Sequence, residues 1–308
     1  MNKKQALEAA KLWINAPVNK KWESTQESAK LFKCNILPGC TPERTPFVDA
    51  MHGQILTSGD LGRSKVVLLG KGVLWDGGGY NAKTFYDDVH DMHADMAGAA
   101  ICGAVKASVK SETVATALPV AMNFFSGHPT RGGLLPGGVY RTLSGKTVEV
   151  VDTDAEGRLL LADAIEVVCD IGKPKIIITV GTLAGCADMG PAWGSYTTNS
   201  NSLRRKFQKA LALSEERFME LPLDLDQREY LQGTRSDLMN TPVTDKGLTR
   251  SGHAFTPALF LHEFIPASVR WIHLDIAGPT LDTDRLATGF GFETLHTFIL
   301  ALINIGET

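Results

Sequence analysis

Three acidic residues at alternate positions stand out in Asp152-Thr153-Asp154-Ala155-Glu156-Gly157-Arg158. On an extended backbone, side chains two apart share a face. Asp152, Asp154 and Glu156 would then stand together and repel one another unless something positive compensated. A pair of divalent metal ions would do so, and carboxylate oxygens suit it. The plainer reading of a charge run is a solvated face. Here the run is flanked by Val148, Val150, Val151 and Leu159-Leu160-Leu161, which favours burial and therefore the metal. Gly157 turns the chain, and Arg158 opens a helix close to the acids.

Two further clusters carry the same kinds of residue. Gly70-Lys71-Gly72-Val73-Leu74-Trp75-Asp76-Gly77-Gly78-Gly79, followed by Lys83, lies just past the carboxyl end of an apolar run. Open α/β sheets bind ligands at that edge, and the glycines allow close backbone approach. The alternative is a glycine turn with two solvated charges. A phosphate loop is disfavoured, because its Gly-Lys-[Ser/Thr] order is absent. The other cluster is Asp95, followed by Met96-Ala97-Gly98-Ala99-Ala100. A carboxylate among such small apolar neighbours is expected to be buried, and then needs a cation or several donors. Alternatively Asp95 sits at a helix N-terminus, where the dipole favours it. His90 and His93 share a helical face and could join Asp95 in a metal site, although paired histidines on a helix are commonly surface or core residues.

These groups need elements to hold them. Val66-Val67-Leu68-Leu69, closed by Gly70, reads as a buried strand. Residues 175–180 and 271–276 read likewise, and 147–154 alternates like a strand. Helices are expected at 4–14, around 28–32, and at 94–107, 159–168, 202–213, 257–264 and 292–303. The glycine- and proline-rich stretch 127–138 reads as a long loop, a length often associated with function. Strands alternating with helices predict an α/β fold with a mostly parallel central sheet sandwiched by helices, in a single domain over 1–308.

Composition excludes several classes. With 31 basic against 34 acidic residues the net charge is −3, so there is no basic surplus for sequence-independent nucleic-acid binding. No apolar run reaches about 18 residues, so neither a spanning helix nor a membrane partner is expected. The charged, amphipathic start lacks the apolar stretch of a signal peptide. Five dispersed cysteines without a Cys-x-x-Cys pair point to a reducing compartment, and so to the cytoplasm. A mass of 33.3 kDa lets about three quarters of the unfolded surface be buried, enough for a core without staples. No Gly-x-Ser-x-Gly elbow supports a serine hydrolase.

Asp152 to Ala164, Asp-Thr-Asp-Ala-Glu-Gly-Arg-Leu-Leu-Leu-Ala-Asp-Ala, resembles the signature of the leucyl (cytosol) aminopeptidase family, the dinuclear zinc or manganese exopeptidases. The signature usually begins with Asn where this chain has Asp152. The glycine-rich segment from Gly70 through Lys83 is similar to the family's first metal segment, which normally has Ser at position 77. Met92-His93-Ala94-Asp95-Met96-Ala97-Gly98-Ala99-Ala100 resembles its second, and Thr182-Leu183-Ala184-Gly185 its substrate-pocket loop. His273-Leu274-Asp275-Ile276-Ala277-Gly278 and Ala287-Thr288-Gly289-Phe290-Gly291 resemble its C-terminal segments. Order and spacing agree over nearly the whole chain.

The resemblance implies the fold of the dinuclear-metal aminopeptidase catalytic domain and two divalent ions, Zn or Mn, held by Lys71, Asp76, Asp95, Asp154 and Glu156. It implies that Lys83 polarises the scissile carbonyl and that Arg158 holds a bicarbonate acting as general base. Met92, Thr182, Leu183 and Gly185 would line the pocket for the first side chain of a peptide substrate. Physical chemistry agrees: four carboxylates balance two dications, and such a pair deprotonates a bridging water near neutral pH. Lys71 could bind as a neutral amine beside the ions, while Lys83 stays charged and stabilises an oxyanion. Family members are hexamers built through this domain, so a homohexamer is expected. Members also carry an N-terminal domain, whereas this sequence opens almost directly on the catalytic segments, so the catalytic domain alone is expected. The competing classes are a catalytically weak scaffold on the same fold and a dinuclear amidase of different substrate.

Overall fold

Apolar runs bounded by glycine and polar residues build the centre of the protein. The computed structural model describes residues 1–84, 89–124, 133–184, 190–243 and 254–304. Its strands are β1 (Asn35–Ile36), β2 (Gln54–Ser58), β3 (Val66–Gly70), β4 (Gly72–Asp76), β5 (Val114–Asn123), β6 (Val139–Arg141), β7 (Thr147–Glu149), β8 (Ile176–Gly181), β9 (Gly194–Thr198), β10 (Phe218–Glu220), β11 (Leu238–Met239) and β12 (Arg270–Asp275). Its helices are α1 (Lys3–Ile14), α2 (Lys21–Leu31), α3 (Pro46–Ala50), α4 (Ala97–Ser108), α5 (Gly157–Ile171), α6 (Asn201–Leu211), α7 (Thr256–His262) and α8 (Phe292–Asn304).

The main sheet runs β1-β2-β5-β3-β8-β12-β9-β10, with β4 continuing alongside β5. Its centre, β5-β3-β8-β12, is parallel, while β1, β2 and the β12–β9 pair supply antiparallel edges. A second, small sheet pairs β11, β7 and β6. Both faces of the main sheet are covered. Val66 and Leu68 point to a core shared with α1, α4, α6 and α8; Val67 and Leu69 point to a second core with α3, α5 and α7. That double burial is why these strands read as unbroken apolar runs rather than as alternation. The protein is thus α/β, a mostly parallel sheet between helical layers.

Two expectations change. The strand expected over 147–154 ends at Glu149, and the chain turns through the acidic residues instead of extending. The ten-residue β5 went unpredicted because its alanines and Pro119 do not look like a strand. Pro119 has no N–H to give, and it sits where β5 changes partner, from β3 up to Ala117 to β4 from Val120. The helix around 28–32 is the end of α2. Of the long loop at 127–138, residues 127–132 lie outside the described residues.

Small residues make α4 lie flush on the sheet. A Cβ on Gly98 would overlap the Val180 carbonyl oxygen and stand 3.0 Å from Lys71 N, and one on Gly70 would overlap Gly98. Ala99 N donates to Lys71 O at 2.8 Å, and Lys71 N to Val180 O at 2.9 Å. The start of α4 is thereby pinned over the carboxyl ends of β3 and β8, and Asp95, just ahead of it, is delivered there.

On the opposite face α5 is tied to α3 by one fully buried carboxylate. Asp163 Oδ2 accepts from Phe47 N and Val48 N, both at 2.8 Å, while Oδ1 has no partner among the described residues. Burial pushes the Asp163 carboxyl well above its ordinary 3.8, despite the two backbone donors. The folded protein therefore keeps this proton longer than the unfolded chain, and stability drains away as pH rises above that ordinary value. Asp163→Asn cannot ionise. Its stability relative to wild type should improve between pH 5 and pH 8 by about 1–3 kcal/mol, read from urea unfolding at both. The same difference at both pH values would show that Asp163 is buried ionised.

Candidate active site

Lys71 follows β3 and is 2% exposed. Its Nζ donates to Asp95 Oδ1 at 2.8 Å and to the Thr182 carbonyl at 2.7 Å, and pairs with Glu156 Oε1 at 3.0 Å. Asp76 ends β4, so the glycine-rich cluster is not a solvated turn but a second strand carrying a carboxylate at its carboxyl end. Asp76 Oδ1 accepts from Gly78 N at 2.9 Å and Asn123 Nδ2 at 2.7 Å. Its Oδ2 lies 2.9 Å from Lys83 Nζ, which also pairs closely with Asp154. Four carboxylates thus divide into two lysine-bridged pairs: Asp95 and Glu156 about Lys71, Asp76 and Asp154 about Lys83. The pairs are not separate, since oxygens of Asp76, Asp95 and Glu156 all lie within 4.8 Å of one another.

The acidic turn is built differently from the extended reading. Asp152 Oδ1 accepts from Asp154 N at 2.9 Å, so this carboxylate closes the turn. Asp154 and Glu156 join Asp76 and Asp95; Asp152 belongs to the turn. Thr153 Oγ1 donates to Gly78 O at 2.6 Å and accepts from Asn81 N at 2.9 Å, locking the turn to the glycine loop. His90 and His93 stay outside the cluster: His93 Nδ1 faces the His90 carbonyl at 3.2 Å.

Electrostatics dominate this small volume. Burial, reinforced by Asp76 and Glu156, pushes Asp95 up to about 8 against the pull of Lys71. Burial and the same two neighbours push Asp154 up to about 8 against the pull of Lys83. Glu156 is raised too, by burial and then by Asp76. Burial alone would lower both lysines, but the surrounding carboxylates outweigh it and raise them. Were all four carboxylates ionised, the two ammonium groups would leave a deficit of two positive charges, the charge of one divalent cation. Clustered oxygen donors with that deficit fit divalent cations. Among the carboxylates alone Lys71 is held protonated, so its nitrogen could coordinate an ion only by giving up that proton.

A cavity of about 510 Å³ opens on the cluster. Lys71, Asp76, Lys83, Met92, Asp95, Asp154, Glu156, Arg158, Thr182 and Leu183 all line it, as does Asp152; Gly185 lies outside the described residues. The Thr182 hydroxyl donates to Asp95 Oδ1 at 2.7 Å, and Asp275 of β12 pins the following loop through Leu183 N and Ala184 N. Arg158 opens α5, nearly fully buried, with Nη1 donating to Asn240 O at 2.9 Å. Burial lowers its guanidinium to about 10, with Glu156 and Asp275 opposing.

Sequence reading missed the supports. Asn123 Nδ2 reaches Asp76 Oδ1 at 2.7 Å, Thr153 O at 3.0 Å and Glu156 Oε2 at 3.4 Å, so one amide orients carboxylates from two clusters. Its signal was a lone Asn closing an apolar segment, which is legible only once β5 is recognised. Gly157 was read as a turn residue. Its φ is not positive, and the need is for space: a Cβ there would overlap Lys71 Cε and stand 2.6 Å from Cδ. Gly157→Ala should therefore push Lys71 off its carboxylates and cost about 1–3 kcal/mol, seen as a lower urea midpoint at unchanged m-value. An unchanged midpoint would mean that Lys71 can step aside.

Residues 57–296 match the catalytic domain of the cytosol aminopeptidase family. The chain is 39% identical over 247 residues to a chloroplastic leucine aminopeptidase of Solanum tuberosum, covering 77% of this chain and 41% of that protein. It is 37% identical over 246 residues to a probable cytosol aminopeptidase of Shewanella oneidensis, covering 76% and 47%. The chain thus spans less than half the length of these two relatives. Among solved structures it is similar to the bottromycin maturation enzyme BotP in complex with Mn, with a TM-score of 0.82 at 28% identity, covering 97% of this chain and 70% of that one. The match runs from the end of β2 into α8 and takes in both lysine-bridged carboxylate pairs: the chain belongs to the cytosol aminopeptidase family, by way of its catalytic domain.

Proposed function

We propose that the chain acts as a metal-dependent aminopeptidase, releasing N-terminal residues from peptides. The observation that carries this is the arrangement of four buried or half-buried carboxylates in two lysine-bridged pairs, at the floor of a cavity on the carboxyl edge of the sheet. In this reading Lys71, Asp76, Asp95, Asp154 and Glu156 hold two divalent ions, Zn or Mn. When bound, such ions supply Lewis acidity and a water nucleophile near neutral pH.

The remaining work falls to the chain. Lys83, kept charged by Asp76 and Asp154, faces the cavity and stabilises negative charge developing on the scissile carbonyl oxygen. Arg158 lines the same cavity and gives one nitrogen to Asn240 O. The rest of its fork would hold a bicarbonate, which would supply a proton acceptor. Met92, Thr182, Leu183 and Gly185 receive the first side chain. One catalytic domain over 1–308, a homohexameric assembly and a cytoplasmic setting belong to the same reading. The first is supported by a sheet common to both cores and the second by family resemblance. The third is supported by the free thiols of Cys34, Cys40, Cys102 and Cys169. Among the described residues no helix is long and apolar enough to cross a membrane.

The test is hydrolysis of leucine p-nitroanilide after stripping metals and reloading Mn or Zn, with N-acetyl-leucine p-nitroanilide in parallel. Turnover of the free amine only, and only with metal, is expected. Hydrolysis of the acetylated substrate would indicate an amidase; no turnover of several aminoacyl substrates with either metal would indicate a scaffold.

Two substitutions probe the roles. Glu156→Ala should abolish both metal binding and turnover. Lys83→Met should lower kcat by about 10²–10³-fold, the scale of losing one oxyanion donor, with bound metal retained. Wild-type kcat in Lys83→Met would remove this residue from the mechanism.

A further inference from the structure

The acidic turn is held from far along the chain. Past β11, whose residues Leu238 and Met239 pair in parallel with Val148 and Glu149 of β7, Asn240 is completely buried. Its backbone N–H donates to Glu149 O at 3.0 Å, extending the ladder by one step. From there its side chain takes over. Oδ1 accepts from Val151 N at 2.8 Å and Asp152 N at 3.3 Å. Nδ2 donates to Asp152 O at 2.6 Å and Ala155 O at 3.3 Å. Both lone pairs and both hydrogens of the amide are used, the full capacity of an asparagine. Its own carbonyl accepts from Arg158 Nη1 at 2.9 Å. One residue thus grips the start, middle and end of the segment 151–158.

We infer that Asn240 is a positioning residue that sets Asp154 and Glu156 for metal binding and aims Arg158 into the cavity. It touches none of the clustered carboxylates itself, so it acts through the backbone that bears them. The inference rests on the aminopeptidase reading for what those residues do. Other side chains fail on chemistry. Aspartate keeps the acceptor half but turns a second carboxylate oxygen against the carbonyls of Asp152 and Ala155. Alanine leaves four half-buried backbone groups without this partner, and polar groups shielded from water are costly to strand.

Asn240→Asp, which is isosteric, and Asn240→Ala are made in the full chain. Folding is checked by circular dichroism, and Mn²⁺ is titrated calorimetrically without substrate. Mn²⁺ affinity should fall by about 10–100-fold, the scale seen when the partners that orient metal ligands are removed. With leucine p-nitroanilide at saturating Mn²⁺, kcat should fall while KM changes by less than about threefold, as for a group acting in the transition state rather than in substrate binding. A merely architectural role would lower the melting temperature and leave the Mn²⁺ isotherm of the folded protein untouched. That result in either variant, or failure of both to fold, would overturn the inference. If wild type binds Mn²⁺ but hydrolyses no free-amine substrate, the aminopeptidase reading falls and the isotherms alone decide the role of Asn240. Wild type that binds no Mn²⁺ would overturn both.

Discussion

Four carboxylates crowded into a few ångströms of mostly dry protein are the constraint around which the rest of the structure is arranged. Like charges at that spacing repel strongly at low effective dielectric, and burial raises the cost further. The protein answers with cations and donors drawn from every nearby element. Lys71 leaves the end of β3 and Lys83 the glycine loop, while Asn123 closes β5 and Thr182 follows β8. Each lies at or just beyond the carboxyl edge of the parallel strands, where several chain ends converge. The sheet order sets this, since β3 lies between β5 and β8 and brings all three exits together.

The same constraint explains where small residues are needed. The ammonium of Lys71 must reach Asp95 and Glu156 at once, so its stem crosses the first turn of α5, and Gly157 leaves the room. Asp95 must come down onto Lys71, so the helix behind it has to approach the sheet without side chains in the way. Glycine and alanine in α4 allow that approach. Packing and electrostatics are one problem here, because a shift of either helix by a methyl group would pull a charge away from its partner.

Much of this was legible in the residues. Apolar runs located β3, β8 and β12, and helical spacing located most of the long helices to within a few residues. The clustered carboxylates were visible as acids embedded among apolar neighbours. What failed was local geometry and long-range support. The alternation of Asp152, Asp154 and Glu156 suggested a strand, but Asp152 bonds back to Asp154 N and makes a turn. A side chain hydrogen-bonding its own backbone two residues on is a competitor that spacing alone does not reveal. β5 was missed because alanine and proline hide a strand whose partners change halfway. Asn123 and Asn240 were missed because a single amide carries no pattern; only the fold shows that one faces two carboxylates and the other a turn 88 residues away.

The two bridging lysines have a consequence for how such a centre is assembled. Many metal sites exist only with the ion, because bare ligands repel and the apo chain stays unfolded. Here Lys71 and Lys83 act as resident placeholders, already neutralising half of the acidic charge inside the folded chain. Under the proposed function, loading would be an exchange of protons and ammonium contacts for metal at a site whose charge is already half balanced.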